Sequence, residues 1–282
     1  MARSTQNGFV PSTFLVVPQW QGSGSSRAMR LVDGAEAIRG DLPSASTVTV
    51  DVPLGAGSNE GTLVHRLSSI DQVRGSMAKA LKKLHGPIIT IGGDCGVELA
   101  AVQHARASQE PMAMIWLDAH PDLNTPESSP SGAFTGMVLR TLLGDGAEAL
   151  LPATPLEPAH TIVAGVRSVD EGESDYLATS GVRVFTSQDV DAQSVTAALA
   201  ASGARSVYIH VDLDVLDPAE FDGVSDPVPF GLPLATVLEV IAAAKATLPL
   251  AGAGIAGFAP ASPDAVSDGM GSILRIVGAI TA

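Results

Sequence analysis

Length, composition and charge narrow the kinds of protein that this chain can be. Its 282 residues are 45% hydrophobic, so they can bury a sizeable core, and this composition argues against global disorder. The formal net charge of −14 argues against nucleic acid and against an anionic membrane surface as partners, because the chain offers no basic surface for phosphates. The same charge is compatible with a small cationic substrate that is drawn into an acidic cleft.

The cysteine count and the N-terminal segment bear on location. Cys95 is the only cysteine, so the chain cannot form an internal disulfide, which fits a reducing cytosol. The N-terminal segment contains no apolar run long enough for a signal peptide, and no later stretch approaches the length that spans a bilayer. We therefore expect a cytoplasmic protein that does not interact with membranes.

Short apolar runs alternate with helical patterns along the whole chain. The runs are rich in Val and Ile and mostly lack polar alternation, which is typical of strands covered on both faces. In chain order, the predicted strands are TFLVV (13–17), TVTVDV (47–52), PIITI (87–91), AMIWLD (113–118), TIVAGV (161–166), VRVF (182–185), SVYIHVDLD (206–214) and GIAGF (254–258). The predicted helices are 68–85, 97–107, 191–202, 233–247 and 271–282. This alternation implies βαβ units and a mostly parallel sheet, and no composition shift marks a boundary, so we expect one α/β domain over residues 1–282.

Polar residues follow four of the predicted strands, at the edge of the sheet where open parallel folds bind ligands. They are Asp94 and Cys95 after the third strand, Asp118, His120, Asp122 and Asn124 after the fourth, Asp170 after the fifth, and Asp212 and Asp214 after the seventh. Alternate residues of an extended chain point to the same side, so the D-x-H-x-D and D-x-D spacings let each set converge on one site.

Each of these residues also has an explanation that involves no ligand. An Asp after a strand most often caps the next helix or closes a turn, and a single His is more often a hydrogen-bonded core residue than a ligand. The two patterns together are harder to explain in this way, because clustered carboxylates raise one another's pKa unless a cation neutralises them. Two divalent cations would do so, and the oxygen-rich donor set suits Mn²⁺ while also accommodating Fe²⁺, Co²⁺, Zn²⁺ or Mg²⁺.

The order and spacing of these motifs resemble the arginase/agmatinase (ureohydrolase) family. The motifs are Gly-Gly-Asp94, Asp118-Ala-His120-Pro-Asp122-Leu-Asn124, Ser131-Gly132, and Asp212-Leu-Asp214 followed by Asp217-Pro218. The resemblance covers the chain from the third strand to the C-terminus. It implies a single three-layer αβα domain with a mostly parallel sheet of about eight strands. It also implies hydrolysis of guanidino or amidino compounds at a two-manganese centre, and assembly as a trimer or hexamer.

Residue roles follow from the resemblance, position by position. Asp118 and Asp212 would bridge the two cations, Asp122 and Cys95 would complete the ligands of one, and His120 and Asp214 those of the other. A hydroxide shared by the cations would attack the guanidino or amidino carbon and release urea or a urea-like product. Asp122 and Asp214 would be the catalytic carboxylates, with Asp122 carrying the proton to the leaving nitrogen. Asn124, Ser131, Thr135 and Asp170 fall at substrate-binding positions.

Four positions depart from the family pattern, and one of them is Ala133, where arginases carry an Asn that contributes to recognition of the amino acid. Cys95 replaces a His ligand, and a thiolate is softer and must lose a proton, so one cation could be held more weakly or a softer ion preferred. Cys95 could instead bind no cation, which would leave one of the two sites vacant. Thr135 replaces a His that assists proton transfer. Gly257 replaces a Glu that clamps the guanidinium, a loss for which Asp264 or Asp268 could compensate. The substrate could therefore be a less basic amidino group, such as an N-hydroxyguanidine.

Two further hypotheses come from other functional classes. The chain could be a catalytically impaired arginase relative that acts as a binding or assembly protein, as the residues at 135 and 257 suggest. It could also be a cysteine hydrolase built on Cys95 at a helix N-terminus. The sequence identifies no base for that nucleophile, and the nearby acidic residues oppose thiolate formation. The GGDCG turn also lacks the spaced glycines of a dinucleotide-binding site.

Overall fold

The structure, a computed structural model, describes residues 12–262 and 264–282. Residues 1–11 lie outside the described residues. Two predictions concern them: the absence of a signal peptide at the N-terminus and the single domain over residues 1–282. Within the described ranges, no helix combines the length and the apolar character that crossing a bilayer requires.

Eight strands form one sheet in which every neighbouring pair is parallel, in the order β2-β1-β3-β8-β7-β4-β5-β6. The strands are β1 (Thr13–Val17), β2 (Thr47–Thr49), β3 (Ile88–Gly92), β4 (Met112–Leu117), β5 (Thr161–Val166), β6 (Arg183–Thr186), β7 (Ser206–Asp212) and β8 (Leu250–Ala256). The prediction of a mostly parallel sheet of about eight strands is therefore confirmed.

Helices cover both faces of the sheet and give three layers. They are α1 (Arg30–Asp41), α2 (Leu67–Leu81), α3 (Glu98–Arg106), α4 (Val138–Leu142), α5 (Glu171–Ser180), α6 (Ala192–Ser202), α7 (Leu234–Thr247) and α8 (Val266–Thr281). Buried side chains of α1, α6, α7 and α8 share one apolar cluster, and those of α2, α3 and α4 share the other. In β1, Phe14 and Val16 face the first cluster while Leu15 and Val17 face the second, which explains the missing polar alternation.

The structure differs from the predicted elements where the local pattern is weak. The sequence did not predict α1, α4 or α5, and α8 begins at Val266 instead of residue 271. Strand β8 begins at Leu250, four residues before the predicted run. It contains Gly252 and Gly254 because neighbouring side chains fill the space, and a Cβ at Gly254 would lie 1.6 Å from Glu98 Oε1.

The topology brings the predicted site residues together. Strands β3, β8, β7, β4 and β5 lie side by side in the sheet. Because all of them are parallel, their carboxyl ends meet at one edge, and the residues that follow them face a common space. This edge carries the Gly-Gly-Asp turn, the D-x-H-x-D segment and the D-x-D segment.

Gly34→Ala and Gly75→Ala should change stability in opposite directions, although both replace a glycine inside a helix. A Cβ at Gly34 would lie 2.0 Å from the backbone oxygen of Phe258, so α1 must shift, and we expect a loss of about 1–3 kcal/mol. A Cβ at Gly75 has no described atom outside its own helix within 4 Å, so helix propensity should stabilise by about 0.5–1 kcal/mol. Chemical denaturation measures both changes, and a gain for Gly34→Ala would contradict this packing.

Candidate metal centre

A cavity of about 540 Å³ opens at the carboxyl edge of the sheet. Every site residue predicted from the sequence lines it: Cys95, Asp118, His120, Asp122, Asn124, Ser131, Thr135, Asp170, Asp212 and Asp214. The structure thus brings all ten together. The volume of this cavity lies within the range of sites that bind small molecules.

The turn after β3 is held by Asp94, which the Gly-Gly-Asp motif supplies. The buried carboxylate of Asp94 accepts hydrogen bonds from Gln19 Nε2 at 2.7 Å and from the backbone N–H groups of Gly22 and Gly96, both at 2.8 Å. Burial nevertheless raises its pKa, and these bonds lower it again in part. Asp94 therefore fixes the loop that presents Cys95, and its own oxygens are engaged by the protein.

The segment after β4 contains two buried carboxylates, Asp118 and Asp122, whose hydrogen bonding differs. Asp118 accepts from Trp116 Nε1 at 3.1 Å and from the backbone N–H of His120 at 2.7 Å. Asp122 has a left-handed backbone with φ of 53°, and its carbonyl accepts from the N–H of Arg140 at 3.0 Å. Its Oδ2 is buried and has no hydrogen-bond partner among the described residues. A strained backbone and an unpaired carboxylate oxygen both occur frequently at functional sites.

Side chains after β7 join the ends of β3 and β4. The Cys95 thiol donates to Asp212 Oδ2 at 2.8 Å, and Asp212 Oδ1 accepts from the N–H of Asp214 at 2.9 Å. Asp214 in turn accepts from the N–H of Ala119 and pairs with His120 Nδ1, both at 3.0 Å. The two sequence patterns therefore form one continuous network.

Two groups of side chains within this network could each hold a metal ion. One contains Asp118, His120 and Asp214, and the other contains Cys95, Asp118, His210 and Asp212, with donor atoms within 4.8 Å of one another in each group. Asp118 belongs to both groups, whereas Asp212 belongs only to the second. Asp122 lines the same cavity but belongs to neither.

His210 is the candidate ligand that the sequence analysis missed. It lies inside the apolar run of β7, where a histidine gives no signal of its own. The available signal is the alternate spacing of His210, Asp212 and Asp214, which extends the D-x-D pattern backwards by two residues.

Burial and repulsion raise the pKa values of several of these groups. Burial, followed by the charge of Asp214, raises the pKa of Asp118 to about 6. Burial raises the pKa values of Asp122 and Asp212 well above the usual range, and neighbouring carboxylates add to both shifts. Burial also raises the pKa of the Cys95 thiol well above its usual value, with Asp212 contributing next. This environment opposes a thiolate nucleophile at Cys95.

His120 carries the positive charge of the network. Burial alone lowers the pKa of His120, but hydrogen bonds and charges from Asp118 and Asp214 outweigh it and raise the pKa to about 12. Burial raises the pKa of Asp214, but the hydrogen bond and charge of His120 bring it below its usual value. A proton on His120 thus lies between two carboxylates, where a metal ion would otherwise balance their charge.

The donor atoms fit divalent cations. Two buried donors, Asp122 Oδ2 and His210 Nε2, have no partner among the described residues. The four carboxylates nearby require protons or an imidazolium for charge balance, as their pKa shifts indicate. Divalent cations would satisfy the unpaired atoms and replace these protons.

The outer part of the cavity contains the predicted substrate-binding residues. Asn124 donates through Nδ2 to Asp170 at 2.8 Å and accepts from Ser128 at 2.8 Å, so it ties two loops together. Ser131 accepts from the N–H of Ala133 at 3.2 Å, and the backbone N–H of Thr135 donates to the carbonyl of Gly22.

Glu173 is a buried acid next to these loops. Its carboxylate accepts from the N–H groups of Leu123 and Asp170, both at 2.9 Å. Burial raises its pKa to about 7, although these two hydrogen bonds lower it in part. Glu173 therefore links the start of α5 to the turn after β4.

Gly257 occupies a position that no side chain can share with Asp212. Its φ is 91°, and an added Cβ would lie 2.4 Å from Asp212 Oδ1. Asp264 and Asp268, which the sequence suggested as substitutes for a carboxylate at 257, are exposed and do not line the cavity. Asp226 does line it.

Known proteins resemble this chain in sequence and in fold. The sequence model described as the Arginase family matches residues 25–270. Arginase from Bacillus caldovelox is 29% identical over 229 residues, 75% of each chain. Arginase from Bacillus subtilis (strain 168) is 33% identical over 175 residues, and this match spans 59% of each chain, less than two thirds of that relative's length.

The structural comparison extends over nearly the whole chain. The crystal structure of Entamoeba histolytica arginase in complex with L-ornithine superposes with a TM-score of 0.85. The superposition covers 96% of this chain and 97% of that one at 23% sequence identity, and it supports the same fold. Because the family model matches most of the sequence and the motifs lie together in one cavity, the chain belongs to the arginase family of hydrolases.

Proposed function

We propose that this chain hydrolyses a C–N bond of a small linear guanidino or amidino compound at a dinuclear metal centre and releases urea or a urea-like product. The observation that carries the proposal is the set of buried carboxylates and unpaired donors at the floor of the cavity in an arginase-family chain. We further propose that the centre uses two divalent cations, with Mn²⁺ suited to the group formed by Asp118, His120 and Asp214.

Several side chains of the cavity are suited to the steps of such a hydrolysis. Divalent cations, when bound, supply Lewis acidity and lower the pKa of water toward neutrality. Asp122 has a buried, unpaired carboxylate oxygen and lines the same cavity as the donor groups, so it can accept a proton and deliver it to the leaving nitrogen. Asp214 holds His120 through its Oδ2 and the turn after β4 through its Oδ1.

The cavity favours a cationic or polar substrate. Asp170 and Asp226 line its outer part, and the chain's negative charge attracts small cations. Named relatives are arginases, which makes guanidino compounds the first class to examine. Because position 257 cannot carry a carboxylate, we expect a substrate that differs from arginine, such as a less basic N-hydroxyguanidino compound. We also propose a cytoplasmic homo-oligomer, a trimer or hexamer, in which each chain forms one domain.

A screen of substrates tests the proposal directly. Protein reconstituted with Mn²⁺ is incubated with guanidino, N-hydroxyguanidino and formimino compounds, and release of urea, its analogues or ammonia is measured. Turnover of at least one compound, dependent on added metal, is the expected result. No turnover with any of them, in protein whose metal content is two ions per chain, would contradict it.

A second candidate function is that of a catalytically impaired binding protein. It is favoured by Gly257, which leaves no room for a carboxylate, and by Thr135, which cannot shuttle protons at neutral pH. This candidate predicts binding of guanidino compounds, detectable by calorimetry, without product release. The same screen therefore separates the two functions.

Asp122→Asn should abolish most of the activity while the fold is retained. Burial raises the pKa of Asp122 well above its usual range, which favours the neutral acid, so the neutral amide is a close replacement, but Asn cannot transfer a proton. We expect kcat to fall by about 10²–10⁴-fold. Metal content is measured in parallel, because the family resemblance also assigns Asp122 as a ligand. Asp175→Asn, at an exposed carboxylate of α5, is the matched control, and unchanged activity of Asp122→Asn would refute the mechanism.

The stabilisation that Mn²⁺ provides should increase from about pH 5 to pH 8. The pKa of Asp118 is about 6 in the fold against an ordinary value of 3.8, so the metal-free fold is favoured at low pH and loses this advantage as the pH rises through 6. Raised pKa values at Asp122, Asp212 and His120 act in the same direction. Cations need the deprotonated forms, so the Tm difference with and without Mn²⁺ should widen. A difference that shrinks with pH would contradict this expectation.

Asp226→Asn should weaken binding of a cationic substrate more than it slows the chemical step. Asp226 lines the cavity and belongs to neither donor group. We expect it to attract the substrate cation equally in the ground state and the transition state, so its loss should weaken binding. We expect KM to rise about 10-fold or more and kcat to change little. Asp222→Asn, at an exposed residue of the same loop that does not line the cavity, should leave KM unchanged.

A further inference from the structure

We propose that His210 and Cys95 belong to one ligand set, completed by Asp118 and Asp212, and that this set binds a borderline divalent cation such as Co²⁺ or Zn²⁺ in preference to Mn²⁺. The inference rests on the dinuclear centre of the proposed function and is independent of the substrate. It assigns a role to a histidine inside β7 that the sequence motifs leave out.

His210 is fixed in orientation by the strands on both sides. It lies opposite Trp116 of β4 and Gly254 of β8 in the sheet register and is fully buried. Its ring stacks on Trp116 with 3.7 Å between ring centroids, and Trp116 also donates to Asp118. The same aromatic side chain therefore positions two members of the proposed set.

The hydrogen bonds of His210 determine which nitrogen is free. Its Nδ1 lies 2.9 Å from Glu98 Oε1, and Tyr208 donates to the other Glu98 oxygen at 2.6 Å. A carboxylate accepts, so Nδ1 carries the proton and Nε2 keeps its lone pair. Metal-binding histidines almost always donate their second nitrogen to a carboxylate or carbonyl in this way, which fixes the ring and makes it a better ligand.

The free nitrogen points into the donor group. His210 Nε2 is buried without a partner among the described residues. A ring nitrogen of His210 lies within 4.8 Å of donor atoms of Cys95, Asp118 and Asp212, and because Nδ1 is bonded to Glu98, we assign this role to Nε2. If His210 only filled the core, we would expect both of its ring nitrogens to be hydrogen-bonded, because buried polar atoms almost always have partners. The unpaired atom therefore indicates a ligand that lies between these four residues.

Strand β8 has a glycine where the hydrogen bond between Glu98 and His210 needs space. The Glu98 carboxylate that bonds to His210 occupies the space that a side chain at residue 254 would fill. A Cβ at Gly254 would lie 1.6 Å from Glu98 Oε1. Glu98 is itself fully buried at the start of α3. Gly254, Glu98 and His210 therefore form one packed arrangement in which the glycine leaves space for the hydrogen bond between the other two.

The composition of the set determines which cation it prefers. One sulfur, one nitrogen and two oxygens make four donors, the number that Zn²⁺ and Co²⁺ take in tetrahedral sites. Thiolate and imidazole favour such borderline ions, whereas carboxylates favour Mn²⁺. The group of Asp118, His120 and Asp214 has no sulfur, so the two halves of the centre should differ in selectivity. With His210 as a ligand, Asp122 is left available for proton transfer.

Cobalt titration of the full chain tests the assignment. Wild-type protein should bind two Co²⁺ per chain, and one of them should show thiolate-to-cobalt absorption in the near ultraviolet. His210→Asn should weaken that cation at least as much as the 10- to 100-fold typical of an outer-shell partner and leave the other one unchanged. Cys95→Ser should remove the absorption, and His120→Asn should retain it. His104→Asn, at a half-exposed histidine of α3, is the matched control and should behave as wild type.

The outcomes separate this inference from the proposed function. If wild-type protein binds no divalent cation, both are refuted. If wild type and His210→Asn bind two cobalt ions with equal affinity and identical spectra, only the role of His210 is refuted. Should the variant not fold, ¹⁵N-histidine NMR of wild-type protein decides, because one equivalent of Zn²⁺ must shift the Nε2 resonance of His210. An unshifted resonance overturns the assignment, and higher selectivity for Mn²⁺ at the cysteine-containing group overturns the metal preference.

Discussion

Four carboxylates share a small buried volume at the carboxyl edge of the sheet, and most other features of the site follow from their repulsion. Water cannot solvate them well there, so each must be protonated, ion-paired or bound to a cation. In the metal-free protein, the raised pKa values of Asp118, Asp122 and Asp212 and the protonated ring of His120 provide the balance. Protons and a bound divalent cation would therefore compete for the same positions, and metal binding would be linked to the stability of the fold.

A second polar network lies next to the carboxylate cluster and is connected to it through Trp116, which stacks on His210 and donates to Asp118. Glu98, Tyr208 and His210 are fully buried and hydrogen-bonded to one another, and they occupy the space in which β8 has Gly252 and Gly254. Glycine weakens a strand, so β8 depends on its neighbours β3 and β7 for its conformation. The stability of the central sheet and the geometry of the site are thus set by the same residues.

The sequence predicted the parallel sheet and the cavity lining because both depend on local patterns. Apolar runs without alternation identify strands buried on both faces, and D-x-H-x-D and D-x-D place polar groups at known strand ends. Helix α5 was missed because Glu173 is its only fully buried residue, so it has no apolar stripe to recognise. His210 was missed because its role depends on Trp116, Glu98 and Gly254, which are distant in sequence and meet only in the fold.

Two of the departures from the family pattern, Cys95 and Gly257, lie at one carboxylate, that of Asp212, which argues for a rebuilt site and against a decayed one. Cys95 donates to Asp212, and Gly257 leaves space for the same carboxylate. The other two departures, Ala133 and Thr135, line the same cavity. A site that had lost its ligands would be expected to exchange buried polar groups for apolar ones, because unpaired polar atoms are destabilising. Asp122 Oδ2 and His210 Nε2 instead remain buried and unpaired among the described residues. If His210 binds a cation together with Cys95, then the residues at 95, 210 and 257 would all alter the surroundings of Asp212.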